Sequence, residues 1–274
     1  MRGETPIPCI RCNQSVKFKD LLKVAKDLNA DVLATGHYVQ RKIGKDGAEL
    51  CKAIDEGKDQ SYFLFATTKD QLDFLRFPLG GWTKAETRKE AIRLGLTIAD
   101  KPDSQDICFV PDGDYAKVIA KIRPSAFKNG EIVDLKGKVL GTHNGIINYT
   151  IGQRRGLGIS NQDFQGKPIY VVKIDAAKNQ VIVGLEDDLQ KQKFTIKELN
   201  WLADENLLSK PILASVRLRS SQKEVEAKIS VNNDKTTATV ELFSPTKLIA
   251  PGQACVIYQD EVVLGGGWIV GEEL

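Results

Sequence analysis

Residues 18–37 read FKDLLKVAKDLNADVLATGH, a helical pattern that runs almost directly into a strand pattern. Apolar residues recur every three or four positions from Phe18 to Leu28, which is the period of a helix with one buried face. The apolar run at 32–35 is short and continuous, as in a strand that is covered on both faces. A helix that feeds such a strand predicts one step of a parallel α/β sheet. Gly36 and His37 then lie at the carboxyl end of the strand, where such sheets bind ligands.

Two helix start signals follow this strand. Thr68 and Gln71 have the spacing of a capping box, in which each side chain bonds the backbone N–H of the other residue. Thr83 and Glu86 repeat the spacing, and Gly95 is expected to end the second helix. Alternating helix and strand patterns therefore predict an α/β domain over residues 1–110.

Strand patterns dominate after about residue 130. Residues 168–175 and 180–184 flank a Lys-Asn turn and predict a hairpin. Two runs of strict apolar–polar alternation, 225–231 and 238–242, flank an Asn-Asn-Asp turn. Gly265, Gly266 and Gly267 predict a bend or bulge in a later strand. We therefore expect a small β-rich central domain at 111–190 and an antiparallel β-barrel at 191–274.

The composition is that of an ordinary globular protein. The chain has 274 residues and a net charge of +3, with 42% hydrophobic and 27% charged residues, which argues against a disordered or fibrous chain. It has no apolar run long enough to span a bilayer and no signal-peptide pattern at its start. No third of the chain is strongly basic, so any binding of nucleic acid must depend on local contacts.

The five cysteines suit a reducing cytoplasm better than a disulfide framework, because their number is odd and they are widely spread. Cys9 and Cys12 form a C-x-x-C step, and Cys12 is expected just before the predicted helix with basic residues nearby. A helix N-terminus and cationic neighbours both favour the nucleophilic thiolate. Cys51 and Cys255 have strand-like surroundings and are predicted to be small buried hydrophobic residues. The local spacing leaves catalysis, metal ligation and a structural role open for the C-x-x-C step.

Two kinds of metal site are alternatives to catalysis. Cys9, Cys12 and Cys108 are the candidates for a three-cysteine iron–sulfur site. A four-ligand zinc site would need His37 or His143, because the chain has no second C-x-x-C step. The zinc site is therefore weakly supported, whereas the iron–sulfur site remains an alternative to a catalytic role.

Motifs along the whole chain resemble those of one family. They are PCIRCN at 8–13, VKFK at 16–19, ATGHY at 34–38, KDQSYFL at 58–64, FPLG at 77–80, DSQDICF at 103–109, GTHNG at 141–145, YTIGQRRGLG at 149–158, PGQ at 251–253 and LGGG at 264–267. In this order they resemble the tRNA-specific 2-thiouridylases, the MnmA family. The resemblance implies that residues 1–110 are the later part of an incomplete, Rossmann-like domain of the adenine-nucleotide alpha-hydrolase type.

The resemblance implies a specific reaction. Members of the family place sulfur on C2 of the wobble uridine of certain tRNAs, after ATP has adenylylated the C2 oxygen and made it a leaving group. By their positions in the motifs, Cys108 would hold a persulfide and Cys12 would be the nucleophile. Cys12 would either free sulfide from the persulfide or form a Cys12–Cys108 disulfide after the transfer. Such an exchange needs the two sulfurs to meet, and a bridge would bring the two Cα atoms within about 7 Å.

The resemblance also assigns binding residues. Gly36 would border ATP. The residues that would contact tRNA are Ile7, Pro8, Cys9, His37, Lys58, Asp59, Gln60, Arg217, Leu218 and Gln253. Ile7, Pro8 and Cys9 align with the loop that meets the target base, where members of the family commonly have Asn in place of Ile7. Leu218 replaces an aromatic stacking residue, so Arg217 is expected to contribute a phosphate contact there.

One motif of the family is absent from the sequence. Members open with a strand and a Ser-Gly-Gly-Val-Asp-Ser type loop, whose backbone N–H groups hold the ATP phosphates. This sequence contains neither that loop nor a G-x-x-x-x-G-K-[ST] motif. Two interpretations stay open: a chain whose remaining residues lie upstream of Met1, or a catalytically impaired tRNA-binding remnant. On both, we expect the 274 residues alone not to thiolate tRNA from ATP.

Partners and location follow from the same resemblance. We expect tRNA as the substrate, a sulfur-relay protein as the persulfide donor, and no resident metal. The lack of a signal or membrane segment predicts a cytoplasmic protein that does not bind membranes. We expect a monomer.

Overall fold

The computed structural model of the protein describes residues 4–97, 99, 110, 118–119, 121, 127–247 and 249–271. Along the chain these residues form an N-terminal part with helices and a short parallel sheet, a four-stranded central sheet and a closed barrel. The predicted fold class, α/β followed by β, is confirmed. Among the described residues, no helix combines the length and the apolar character needed to cross a membrane.

The first helix is continuous over residues 8–27 but changes its hydrogen bonding on the way. It consists of α1 (Pro8–Arg11), a π-helical segment (Cys12–Asp20) and α2 (Leu21–Asp27). The chain then turns at Asn29, whose φ of 55° is one that asparagine tolerates. It enters β1 (Leu33–Ala34), which pairs in parallel with β4 (Leu75–Arg76). The predicted parallel step is therefore present, with a strand shorter than the sequence pattern suggests.

Only half of the predicted helical stripe is buried. Phe18 and Leu22 lie in the core, whereas Leu21 is 51% and Leu28 is 75% exposed. The helix packs through its inner face on the 3-10 helix Ser61–Leu64. The outer half of the stripe consequently remains at the surface of the residues that the structure describes.

A hairpin and two capped helices complete the N-terminal part. They are β2 (Val39–Gly44), β3 (Gly47–Lys52), α3 (Lys69–Phe74) and α4 (Lys84–Arg93). Both predicted capping boxes are confirmed: the Thr68 hydroxyl accepts from the Gln71 N–H, and the Thr83 hydroxyl accepts from the Glu86 N–H. The second helix ends before Gly95, as predicted, and the φ of 67° at this residue suits glycine.

The central sheet has four strands in the order β6-β5-β8-β7. They are β5 (Gly130–Asp134), β6 (Val139–His143), β7 (Tyr170–Asp175) and β8 (Gln180–Gly184). The predicted hairpin is β7 with β8, and β8 also pairs in parallel with β5. One face of the sheet buries its own small core of Ile132, Ile146, Leu157, Ile169, Val171, Val181 and Val183.

Six antiparallel strands form the barrel. They are β9 (Lys191–Trp201), β10 (Ile212–Arg217), β11 (Val225–Val231), β12 (Ala238–Thr246), β13 (Ala254–Gln259) and β14 (Val262–Ile269). Their order is β13-β10-β11-β12-β9-β14, and the barrel closes because β13 also pairs with β14. Closure leaves no unpaired strand edge in the barrel. The β2–β3 hairpin extends this sheet through Cys51, which lies opposite Val262.

The three consecutive glycines of β14 lie where the backbone of the barrel is crowded. A Cβ at Gly265 would come within 2.3 Å of the Asn200 carbonyl oxygen. At Gly266 it would come within 2.7 Å of the Phe65 ring, and at Gly267 within 2.8 Å of the Lys197 carbonyl oxygen. Neighbouring strands and the N-terminal part can approach β14 this closely only because these positions have no side chain.

The N-terminal part and the barrel share one hydrophobic core. The cluster joins Ile10, Phe18, Tyr62 and Phe65 to Ala254, Val256, Tyr258 and Trp268 of the barrel. The Tyr62 hydroxyl donates to the carbonyl oxygens of Leu218 and Ala254, at 3.3 and 3.0 Å. The Asn200 amide of β9 donates to the carbonyl oxygens of Phe65 and Thr67. Most of the predicted site residues lie along this junction.

Candidate functional site

The C-x-x-C step lies on the first turns of the N-terminal helix. Ile10 is fully buried, and the Asn13 side-chain amide donates to the Phe63 carbonyl oxygen at 3.2 Å. These two anchors fix the turn against the Ser61–Leu64 segment, whereas Cys9 and Cys12 are both partly exposed. The expectation that Cys12 precedes the helix is wrong, because the helix already begins at Pro8. Pro8 is favoured at a helix start, since its missing N–H would have no partner there.

Cys12 is the first residue of the π-helical segment. At the end of this segment the Leu21 N–H bonds the Val16 carbonyl oxygen, five residues back. Wide turns of this kind are rare and concentrate at functional sites. The structure thus places the predicted nucleophile at a local irregularity of the backbone, one residue from the Asn13 anchor.

The other cysteines divide into two groups. Cys51 and Cys255 are fully buried, which confirms their prediction as small core residues. Burial raises the pKa of the Cys51 thiol to about 11 and also raises the pKa of Cys255, so neither forms a thiolate readily. Cys108 lies outside the described residues, and its pairing with Cys12 therefore stays a prediction. No disulfide joins any two of the four described cysteines.

Gly36 and His37 follow β1, as predicted. Gly36 is exposed, and a Cβ there would touch only Leu79, at 3.7 Å, so no packing against the described residues requires glycine. His37 is buried, with Nδ1 at 2.9 Å from the Thr35 hydroxyl and its ring edge-on to Phe18. Burial, and secondarily the charge of Lys17, lower the pKa of His37 to about 4. At neutral pH this imidazole is uncharged, so it can form hydrogen bonds but no ion pair with an anion.

The Lys58-Asp59-Gln60 segment is held by hydrogen bonds on its inner side. Asp59 accepts from the N–H groups of Ala53 and Ser61 and from the Ser61 hydroxyl, and its side chain is 3% exposed. Gln60 accepts from the Tyr38 N–H at 2.9 Å, and its own N–H donates to the Tyr38 carbonyl oxygen. The structure thereby brings Gln60 next to His37, and it turns the Asp59 carboxylate away from solvent.

Arg217 meets Asp59 across the junction. Its two terminal nitrogens donate to Asp59 at 2.9 Å and to Glu224 at 2.8 Å, and its side chain is 13% exposed. Lys52 also bonds Glu224, at 2.7 Å. We call Asp59, Arg217, Glu224 and Lys52 the junction cluster.

Tyr258 and Leu218 lie next to residues of the junction cluster. The Lys52 and Arg217 cations both lie over the Tyr258 ring. Leu218, the next residue along β10 from Arg217, is fully buried in the barrel core, which leaves its side chain no surface for RNA. The tRNA contacts of Arg217 and Leu218 stay predictions, whereas the observed contacts join the barrel to the N-terminal part.

Gln253 lies near the predicted target-base loop. Its amide donates to the Thr5 carbonyl oxygen at 3.0 Å, two residues before Ile7. Ile7 and Pro8 line a cleft of about 170 Å³ that is closed on its other side by the barrel. The structure therefore brings Ile7, Pro8 and Gln253 to one end of the junction and Asp59, Gln60 and Arg217 to the other. The Ser61–Leu64 segment lies between the two groups.

Sequence reasoning missed three residues of this cleft. Arg11 stacks on the Trp268 ring, with the guanidinium carbon 4.3 Å from the ring centroid, and forms an ion pair with Glu198 at 2.8 Å. Arg11 was visible in the sequence as a neighbour of Cys12. Glu198 and Trp268 carried no local signal, because their place depends on how β9 and β14 pair.

The described residues contain no group of three His, Cys, Asp or Glu side chains arranged to hold a metal ion. The iron–sulfur alternative includes Cys108, which lies outside these residues, and it stays open. Of the zinc candidates, His143 bonds the Asn179 carbonyl oxygen and the Gly145 N–H within the central sheet. His143 therefore has a structural role far along the chain from the C-x-x-C step.

Comparison with known families covers nearly all of the chain. Three family profiles match consecutive segments: the tRNA methyl transferase HUP domain at residues 1–112, the tRNA methyl transferase PRC-barrel domain at 116–185, and the aminomethyltransferase beta-barrel domain at 191–269. The three segments correspond to the N-terminal part, the central sheet and the barrel.

Individual relatives are similar over the same length. The tRNA-specific 2-thiouridylase MnmA of Rickettsia massiliae is 57% identical over 99% of this chain, which spans 73% of that protein. The proteins of the same name from Orientia tsutsugamushi and Rickettsia canadensis are also 57% identical, over 100% and 98% of this chain and 73% and 72% of their own lengths. The chain therefore belongs to the MnmA family of tRNA-specific 2-thiouridylases.

Proposed function

We propose that this protein is a tRNA sulfurtransferase that places sulfur on C2 of the wobble uridine. The observation that carries the proposal is the 57% identity, over nearly the whole chain, to relatives named tRNA-specific 2-thiouridylase. The family profiles carry the words methyl transferase, but a thiol-based reaction suits this chain better. Its C-x-x-C step lies at the domain junction, with both cysteines partly exposed.

Cys108 carries the sulfur in this proposal, and Cys12 is the nucleophile. In one route, the Cys12 thiolate attacks the Cys108 sulfur of the persulfide and releases hydrosulfide, which attacks C2 of the uridine while a Cys12–Cys108 disulfide remains. In the other route, the terminal sulfur of the persulfide attacks C2 first, and Cys12 then displaces it from Cys108, giving the same disulfide. Both routes end on a disulfide that an external thiol must reduce before the next cycle.

ATP is the co-substrate in this proposal: transfer of its adenylyl group to the C2 oxygen releases pyrophosphate, and the attack of sulfur at C2 then expels that oxygen as AMP. Gly36 borders ATP in this proposal. The open surroundings of Gly36 at the end of β1 support the assignment, because a nucleotide can approach the backbone closely where no Cβ intervenes. In this proposal, the partly exposed Cys12 and the buried, neutral His37 lie between the ATP beside Gly36 and the bound tRNA.

tRNA and a sulfur-relay donor protein are the partners. Ile7, Pro8 and Cys9 contact the target base, and Gln253 supports that loop through Thr5. His37 and Lys58 contribute further tRNA contacts. Asp59, Gln60, Arg217 and Leu218 are further tRNA contacts in this proposal, and the ion pair of Asp59 with Arg217 also holds this surface in place. The protein works in the cytoplasm as a monomer.

The experiment measures 2-thiouridine in tRNA by mass spectrometry after incubation with ATP, a persulfide donor and a thiol reductant. The assay is run on the 274-residue protein and on a chimera in which the strand and Ser-Gly-Gly-Val-Asp-Ser type loop of a family member precede Met1. In the chimera, Cys12→Ser and Cys108→Ser should each abolish product. Cys51→Ser, a change at a buried thiol, is the control and should retain activity.

Two results would contradict the proposal. If the chimera folds and binds tRNA but forms no 2-thiouridine, the proposed sulfurtransferase activity is wrong. If the Cys12→Ser chimera forms as much product as the unchanged chimera, Cys12 is not the nucleophile, although the proposed activity still stands.

A further inference from the structure

The cleft between the N-terminal loop and the barrel has an apolar body and a charged end. It measures about 170 Å³. Pro6, Ile7, Pro8 and Trp268 line its apolar part, and Glu4, Arg11, Lys197 and Glu198 line its charged part. A cavity of about 150 Å³ accommodates one benzene ring. The cleft therefore suits a single ring with a polar edge.

A bulge in β9 directs Glu198 to this cleft. Gly266 lies opposite Asn200, but Trp268 lies opposite Lys197, so two residues of β9 face one residue of β14. Glu198 is one of these two, and its φ of 52° is a conformation that residues other than glycine rarely adopt. Bulges and strained residues are concentrated next to functional sites, where they redirect a side chain.

Charged groups of both signs meet at the polar end. Arg11 forms an ion pair with Glu198 at 2.8 Å, and Lys197 forms one with Glu4 at 3.4 Å. Arg11 and Glu198 are about half exposed, so a ligand can reach both groups. Two carboxylates disfavour a phosphate in this position, whereas a ligand that both donates and accepts hydrogen bonds would pair with each sign.

We propose that this cleft binds one unstacked uracil of the RNA strand, next to the base that is modified. The inference rests on the proposed function. RNA-binding proteins stack unpaired bases on aromatic rings and guanidinium planes. Here the guanidinium carbon of Arg11 lies over the Trp268 ring, 4.3 Å from its centroid. The hydrogen-bonding edge of uracil presents one N–H between two carbonyl oxygens. Glu198 accepts from the N–H, and Arg11 and Lys197 donate to the carbonyls.

The bound base is a neighbour of the target rather than the target itself. Ile7 and Pro8 belong to the proposed target-base loop and also line the cleft, so they lie between the two bases, but neither Cys9 nor Cys12 lines the cleft. Arg11, which precedes the predicted nucleophile, lines the cleft, whereas Cys12 itself does not. Binding the neighbour would unstack the strand and leave the target base free to enter the reaction site.

The test uses the full chain and an RNA stem-loop with the sequence of a tRNA anticodon arm. Glu198→Gly suits the test because glycine adopts the φ of 52° without strain, so the variant should fold. Asp260→Gly is the matched control: Asp260 is also acidic, exposed and at a φ of 53°, but it lies in the β13–β14 turn. We expect Glu198→Gly to weaken binding about tenfold and Asp260→Gly to leave it unchanged.

Whether Glu198→Gly weakens or strengthens RNA binding distinguishes a specific contact with the base from a general effect of charge. Removal of a carboxylate reduces repulsion of RNA, so without a specific contact Glu198→Gly would bind as well as or better than the unchanged protein. Either result would overturn the proposal. Arg11→Gln, compared with Lys42→Gln of the exposed Lys42–Glu261 pair, should weaken binding well beyond the loss of one charge.

Crosslinking locates the base. 5-Bromouracil placed at one loop position at a time should crosslink to a peptide that contains Trp268 or Lys197 from a position next to the wobble uridine. A crosslink to these peptides only from the wobble position, or from none, would overturn the assignment. If the unchanged protein fails to bind the stem-loop, the proposed function fails together with the inference. If it binds but is insensitive to Glu198→Gly, the inference alone fails.

Discussion

Two of the ion pairs that join the N-terminal part to the barrel differ in burial. Arg217 and Asp59 are 13% and 3% exposed, and each makes further hydrogen bonds that use most of its polar atoms. Arg11 and Glu198 are 46% and 51% exposed, and Glu198 has the backbone strain of a bulge. The first pair has little capacity left for a ligand, whereas the second can exchange partners with water or RNA. The same kind of contact thus holds the two parts together at one end of the junction and, in the proposed base site, recognises RNA at the other.

The charges of the junction cluster persist although its side chains are largely buried. Two acidic and two basic side chains balance one another around Tyr258. Burial opposes ionisation of Glu224, but hydrogen bonds from Lys52, Ser215 and Arg217 outweigh it and lower the pKa of this carboxyl. A buried pair of this kind is costly to break, because removal of one partner leaves the other charge uncompensated.

The largest expected effect comes from breaking the buried pair. Asp59→Ala should lower the free energy of unfolding by about 3–5 kcal/mol, because Arg217 and three further donors lose their acceptor. Asp73→Ala is the control: Asp73 also pairs with an arginine, Arg41, but is 66% exposed, so the loss should stay within about 1 kcal/mol. Urea unfolding measures both. Equal losses would show that burial does not separate the two kinds of pair.

An intermediate effect is expected from acid. The pKa of His37 is lowered to about 4, so between pH 7 and pH 5 the unfolded chain takes up a proton that the folded chain does not. This site therefore stabilises the fold fully above about pH 6.5 and should lose about 2 kcal/mol by pH 5 and about 3 kcal/mol by pH 4. His37→Gln should remove this loss when urea unfolding is compared at pH 7 and pH 5.

His143→Gln is the control for the acid effect. Burial also lowers the pKa of His143, but this residue lies in the central sheet. Its variant should keep the larger, His37-dependent part of the pH dependence. A His37→Gln protein with the pH dependence of the unchanged protein would contradict the assignment and would show that His37 is protonated in the folded state.

The smallest effect is expected at the exposed pair. Glu198→Gly removes an ion pair of little net value and relieves a left-handed conformation, so the free energy of unfolding should change by less than about 1 kcal/mol. Glu226→Gly, at an exposed and extended position of β11, should lose about 0.5–1 kcal/mol because glycine weakens a strand. A greater loss for Glu198→Gly than for Glu226→Gly would identify Glu198 as a structural residue.

Local patterns predicted much of the fold. The capping boxes at Thr68 and Thr83, the β7–β8 hairpin and the alternating strands β11 and β12 each depend on residues close in sequence, and all are present. The helix over residues 18–28 was predicted, but its true start at Pro8 was not, because proline is read as a break as easily as a first helical residue. The family was identified from the resemblance of the motifs along the chain.

What the sequence did not reveal depends on pairing between distant segments. The β2–β3 hairpin lacks a strong alternation, and its place beside β14 follows from one bridge, Cys51 with Val262. The contact of Asp59 with Arg217 spans 158 positions, and that of Arg11 with Glu198 spans 187. In both pairs, the sequence around one residue gives no indication of its distant partner. The bulge at Glu198 likewise exists only through the register of β9 on β14.

The crowded glycines of β14 have a consequence at the level of the gene. Gly265, Gly266 and Gly267 each lack room for even a methyl group, since every added Cβ would come closer than 3.0 Å to a neighbouring atom. Every glycine codon changes its meaning when its first or second base changes. These three adjacent codons should therefore accumulate silent changes only. When genes that encode functional variants are compared, nucleotide substitutions in this nine-base stretch, three bases for each of three codons, should occur only at the third base of each codon.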